Sequence, residues 1–248
     1  MGNNMKKLLS ALMLSLFPFG AQADFVGFAV GAAYWNPSPS GEVSYQNYGS
    51  NDFEDDLRLE DAKENVLWAV LEHPLPMLPN VKLVRTSLGL EGDDGTLQAT
   101  FGNVNSGLPG VDSSITLDQT DLMLYYEVLD NWVTLDLGID VKLIDGTAQV
   151  SRQGKSTRES DSVTIPLLYG NAMVELPFTG FFAGLEAAML SLEGNSVSDV
   201  TARVGYESNI GLGAMAGLRR QSFKLEDVDN VDLDLTVSGP FVAVYYHF

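Results

Sequence analysis

From residue 24 onward the chain is organised by an alternation of apolar and polar residues with a period of two. The clearest stretch runs Val133, Leu135, Leu137, Ile139, Val141, Leu143, interleaved with Thr134, Asp136, Gly138, Asp140 and Lys142. Successive side chains of a strand point to opposite faces. One face here is continuous aliphatic surface, and the other carries Asp136, Asp140 and Lys142. The split recurs. Leu122, Leu124, Tyr126 and Val128 oppose Asp121, Tyr125 and Glu127; Val200, Ala202, Val204 and Tyr206 oppose Thr201, Arg203, Gly205 and Glu207. Ile210, Leu212, Ala214, Ala216 and Leu218 oppose Gly211, Gly213, Gly217 and Arg219. Ten strands are predicted, near 25–37, 62–74, 81–91, 114–129, 132–150, 159–176, 180–193, 197–208, 210–225 and 231–248.

Such alternation fits a soluble sandwich, with the aliphatic face as core, or a transmembrane barrel, with that face toward lipid. Several segments exceed the ~5–6 residues usual in soluble sheets and match the ~9–11 that cross a bilayer at a tilt. Connections alternate short (74–80, 130–131, 177–180, 208–209) and longer (38–61, 92–113, 151–158, 194–196, 226–230), the asymmetry of outer-membrane barrels. Trp132 and Tyr169 are predicted interface aromatics. The fold class is therefore all-β: an antiparallel up-and-down transmembrane barrel of ten strands, an even number that puts both termini on the periplasmic side.

Residues 1–23 read as a secretory signal peptide. Lys6 and Lys7 precede an apolar stretch from Leu8 to Phe19, and Ala21-Gln22-Ala23 is an A-x-A cleavage site. The barrel domain is then 24–248. The apolar stretch is shorter than the ~20 residues a membrane-spanning helix needs.

Composition narrows the functions. The net charge is −19, and loss of Lys6 and Lys7 would take it to about −21, which excludes a nucleic-acid partner. There is no Cys, which excludes disulfides, thiolate metal sites, Cys nucleophiles and a lipidated N-terminal Cys. The two His, His73 and His247, both fall at the predicted periplasmic end, away from the external rim where a general base would serve a surface hydrolase. No catalytic residue, metal or cofactor is assigned. The mean hydropathy of +0.04 resembles that of a soluble protein and conceals the two-faced pattern.

The last strand ends Gly239-Pro240-Phe241-Val242-Ala243-Val244-Tyr245-Tyr246-His247-Phe248. Phe248, Tyr246, Val244 and Val242 share one face, and Gly239 lies ten positions from the end. This resembles the C-terminal recognition signal of bacterial outer-membrane barrels, which implies the barrel-assembly machinery as a partner. The phase of the alternation changes between Val237 and Val242, which a bulge or the end of the lipid-facing band near Gly239-Pro240 would explain. The chain also resembles a family of small Gram-negative outer-membrane barrels of unassigned function. The residues carrying this are Leu71-Glu72-His73-Pro74-Leu75-Pro76-Met77-Leu78-Pro79-Asn80-Val81, Ile165–Asn171, Leu176-Pro177-Phe178-Thr179-Gly180 and Glu226-Asp227-Val228-Asp229. The resemblance implies architecture and brings no catalytic residue.

Two constellations remain. Arg85, Asp121, Glu127, Asp136, Asp140, Lys142, Glu175, Glu186, Arg203, Glu207 and Arg219 fall on polar strand faces. They would either line a narrow cation-preferring path or pair off and fill the lumen, and a ten-stranded barrel lies near the filled end of the size range. Acidic runs at Asp52–Asp61, Glu91–Gly95 and Glu226–Asp234 are expected to be solvated external loops, with Ca²⁺ binding as the alternative. Gly27, Gly31, Gly205, Gly211, Gly213 and Gly217 are placed on polar strand faces, where sharp curvature needs positions without side chains. The sequence points to a monomer surrounded by outer-membrane lipid and lipopolysaccharide. Its role would be structural or one of surface interaction through acidic loops; a narrow channel is the alternative, and a surface hydrolase a third.

Overall fold

In a computed structural model, residues 26–45, 48–107, 109–192, 194–228 and 231–248 are described. The signal-peptide reading lies outside them. Twelve strands form: β1 (Gly27–Trp35), β2 (Ser38–Tyr45), β3 (Ser50–Asp52), β4 (Glu64–Glu72), β5 (Asn80–Thr96) and β6 (Pro109–Asp130), then β7 (Val133–Arg152), β8 (Lys155–Glu175), β9 (Phe181–Leu192), β10 (Asn195–Glu207), β11 (Leu212–Val228) and β12 (Val231–His247). Ten of them, β1 and β4–β12, pair antiparallel with their neighbours, and β1 closes on β12 to complete the barrel. The expected first strand, 25–37, is interrupted at Asn36-Pro37. Beyond this break the chain continues as β2, still along β12, and folds back as β3.

Strand lengths follow the two ends of the barrel. At one end the connections are short, and at the other the strands run on. The expected long connection at 151–158 is instead a two-residue turn, Gln153-Gly154, with φ 47° and 80°. Positive φ at both central residues is the hairpin turn that matches strand twist, so β7 and β8 continue to the tip. At the opposite end Gly211, expected within a strand, lies in a turn at φ 79° before β11 begins.

The barrel has two tiers of opposite polarity. In the lower tier, Val133 to Leu143 of β7 covers about 33 Å of strand, which at a tilt near 40° spans about 25 Å, the height of a lipid-facing band. Leu137 and Ile139 point outward there and are 51% and 47% exposed. Asp136, Asp140 and Lys142 point inward and are buried. One residue beyond Leu143 the polarity inverts. Ile144 and Val150 are buried inside, while Asp145, Thr147 and Gln149 face out. The same inversion occurs on β11, where outward Leu218 gives way to Arg220 and inward Gln221 to Phe223, and on β5 between Leu83 and Arg85. It also explains β12. The ladder from Val237 to Val242 has no register shift, so the change of phase marks the end of the apolar band and there is no bulge. Val242 and Val244 face out below it; Leu235 and Val237 face in above it.

The upper tier is closed by its own connections. Residues 52–62 join β2 to β5 along the side of the upper tier, burying Phe53, Leu57 and Leu59. They are tied down by Phe53 N–H to Gly41 O (2.9 Å), Glu60 N–H to Glu91 O (2.9 Å) and Thr96 N–H to Asp56 O (2.8 Å). Gly92 and Gly95 permit this approach, since a Cβ on either would collide with the Asp56–Arg58 backbone. A second flap buries Leu97, Phe101 and Val104. The acidic run 52–61 is thus a folded part of the head wall. Asp52 accepts from the N–H groups of Glu54 (2.8 Å) and Asp55 (2.9 Å), with Phe53 and Leu57 as its anchors.

Candidate functional site

The lower lumen holds a continuous polar network in layers. In the upper layer, Lys142 of β7 is completely buried and pairs with Asp121 of β6 and with Asp199 of β10 at 3.3 Å. Arg219 of β11 grips Asp199 with two bonds, Nε to Oδ1 at 3.0 Å and Nη2 to Oδ2 at 2.7 Å. Its other nitrogen donates to Thr86 of β5 (3.1 Å), and its guanidinium stands over the Trp35 ring at 5.1 Å. Gln119 and Gln221 bond each other across the lumen, at 3.0 and 2.9 Å. This layer ties the β5–β7 wall to the β10–β11 wall. Bidentate arginine pairing is the strong, geometrically specific form of this contact.

In the next layer, Glu186 of β9 accepts from Lys82 of β5 (2.6 Å) and Arg203 of β10 (3.1 Å). Arg203 also reaches Asn171 (2.7 Å), which donates to Asp136 (2.7 Å). Below, Tyr125 donates to Glu72 (2.8 Å), Asn80 to Glu127 (3.0 Å) and Tyr245 to Glu207 (2.9 Å). Under these an open cavity of about 620 Å³ occupies the short-turn mouth, with Glu175, Glu207, Phe182, Tyr245 and Trp132 in its wall.

Of the predicted lumen residues, Asp121, Glu127, Asp136, Asp140, Lys142, Glu175, Glu186, Arg203, Glu207 and Arg219 face inward. Arg85 does not. It lies outside the barrel, bonded to Thr120 (2.9 Å) and paired with Asp118 (3.4 Å), because β5 passes from belt to upper tier at this position. Tyr169, expected at the interface, points into the lumen against Tyr125 and is buried. Trp132 is exposed at the short-turn end. Asp140 is buried, and neither of its carboxylate oxygens meets a hydrogen-bond donor. Inward glycines make room for rings: a Cβ at Gly31 would overlap Trp68, and one at Gly213 would overlap Tyr245.

Sequence reasoning missed Lys82, Asp199, Gln119 and Gln221. Lys82 sits between Val81 and Leu83, and Gln119 lies two residues before Asp121 and shares its parity. The alternation could have found them. Asp199 lies one residue before the predicted apolar set of β10, at the tier boundary.

Both His sit at the short-turn end. His73 clamps the Pro-rich turn, its Nε2 3.1 Å from Pro79 O and its Nδ1 accepting from Leu75 N–H at 3.2 Å. His247 pairs with Glu207 at 3.4 Å. Among the described residues no three His, Asp or Glu side chains gather in a metal-holding arrangement.

No protein-family model and no curated protein matches the chain. Solved structures do. The outer membrane protease OmpT of Escherichia coli superposes with a TM-score of 0.59 at 8% identity, over 93% of this chain and 99% of that one. The translocator domain of the autotransporter NalP of Neisseria meningitidis gives 0.44 at 14% identity, over 99% and 95%. The attachment invasion locus protein Ail of Yersinia pestis gives 0.40 at 9% identity, over 90% and 99%. At these identities the likeness, carried by the first of the three, is one of fold: this chain has the closed antiparallel β-barrel architecture of outer-membrane proteins.

Proposed function

We propose that the chain is a non-enzymatic, non-conducting integral outer-membrane barrel, monomeric, that holds a folded β head at the cell surface for interaction. The apolar belt would sit in outer-membrane lipid beside lipopolysaccharide. The short turns and both termini would lie on the periplasmic side. Val242, Val244, Tyr246 and Phe248, with Gly239, would form the signal read by the barrel-assembly machinery.

The observation that supports this best is the double obstruction of the lumen. A buried ion-pair layer spans it at Lys142, Asp199 and Arg219, and a buried apolar core lies over that layer. An ion would have to break both. The position of His73 and His247 at the end away from the head supports the non-enzymatic reading. Planar-bilayer recording of the folded chain tests the proposal. A folded, silent protein is the expected result. Discrete cation-selective steps that change with Asp136→Asn or Asp140→Asn would overturn it in favour of a narrow channel.

A further inference from the structure

Among the described residues, the wall of the head is incomplete on one side. The ladder between β8 and β9 runs from Glu175↔Phe182 to Leu168↔Met189 and stops. β8 continues to Lys155, paired with β7 throughout. β9 ends at Leu192 and β10 begins at Asn195, so the β7–β8 arm rises beyond them by about 30 Å of strand. From Arg158 to Thr164 both faces of β8 are exposed, whereas Gly146–Ala148 of β7 are half-buried. An unpaired edge is a template for another strand.

The register tells which backbone groups are available. Arg152 and Lys155 close a two-residue turn and so form a hydrogen-bonded pair. The N–H and C=O groups of the odd-numbered residues therefore point to β7. Those of Arg158, Ser160, Ser162 and Thr164 point to the open side. Three observations agree. Ser156 O accepts from Asn103 Nδ2 (3.2 Å) at the flap instead of from β7. Ser162 N–H is held by the adjacent Asp161 carboxylate (2.8 Å). Pro166, which has no N–H, occupies an open-side position, where none is required.

We infer that the open side of β8, from Arg158 to Ile165, is a docking edge for an extended basic polypeptide segment that adds to the head as a further strand. This rests on the surface-interaction reading and names its site and partner class. In strand addition, main-chain bonds give affinity and alternate side chains give specificity. An added strand would set its inward side chains beside Glu159 and Asp161, then Val163, which is 41% exposed, with Leu192, 62% exposed, across the gap. Two basic residues followed by an apolar one, at alternate positions, match that row. The net charge of −19 opposes a second copy of this chain as the occupant.

The full chain in lipid nanodiscs is titrated with a synthetic peptide in which Thr alternates with Lys, Lys and Val, and with a second peptide carrying Glu for Lys. Amide exchange at Ser160 and Thr164 is expected to slow by about tenfold with the first peptide alone. Glu159→Lys with Asp161→Lys is expected to weaken binding by about tenfold. Ser160→Pro with Thr164→Pro removes only open-side donors and is expected to abolish binding while the heat-modifiable gel shift of the folded barrel persists. If that pair fails to fold, the charge-reversal pair carries the test. Unchanged exchange at saturating peptide, equal binding of the Glu peptide, or edge protection that appears with a dimer of the chain alone would each overturn the inference. A silent folded barrel without peptide binding overturns only the edge; a conducting barrel overturns the functional reading whatever the peptide does.

Discussion

The two tiers of this barrel share strands, register and alternation, yet their polarity is inverted. Below Leu143 the outward side chains are aliphatic and the inward ones are charged; above it the outward ones are polar and the inward ones form an apolar core. The solvent makes the difference. Lipid accepts leucine and rejects charge, so polar groups gather in the lumen and must pair there. Water reverses the rule, and the head packs like a soluble β protein. One strand of β7 obeys both rules within twenty residues.

That contrast can be broken from either side. The largest effect is expected at Asp199→Ala, which leaves Arg219 and Lys142 buried without their shared acceptor, at a cost of about 3–5 kcal/mol. Urea unfolding in liposomes should show loss of the whole barrel, since this residue joins opposite walls. Phe53→Ala, at the centre of the head, should cost about 3 kcal/mol or more. Its signature is local: faster amide exchange through 52–62 and 97–104 with the belt unchanged. Leu137→Arg should cost about 2–4 kcal/mol in the membrane, whereas Gln149→Arg, on the same outward face of the same strand in the upper tier, should be nearly neutral. Equal costs would mean that the tiers do not meet different solvents. The smallest change is expected at Asp140→Asn. The native carboxyl has no donor in the lumen, so removing its charge should leave stability unchanged or raise it slightly. A loss comparable to that of Asp199→Ala would show that Asp140 has a partner after all.

The same contrast explains which features could be read along the chain. Val133–Leu143 announced a strand and its two faces, and ten staves followed from ten such segments. The inward placement of Asp121, Asp136, Asp140, Lys142 and Arg219 followed from parity. Arg85 and Tyr169 depart from the sequence expectation because parity, and not residue type, sets the face: the charge points out and the aromatic points in. The stretches 38–61 and 151–158 look like loops in the sequence because polar, Gly- and Ser-rich segments resemble connections when the apolar face is expected outside. In the head the apolar face is inside, and the polar residues are the wall.

The strand period, the ten staves and the two-faced belt are written along the chain, because a period of two and a lipid-facing stripe are local properties of consecutive residues. That Lys142 meets Asp199 and Arg219 meets Thr86 follows from the closed fold. The same closure joins residues 52–62 to both β2 and β5, and lets β8 outrun β9 and leave an open edge. Those facts depend on closure and stagger, which bring together residues far apart along the chain, and no local pattern encodes the register at which ten strands close.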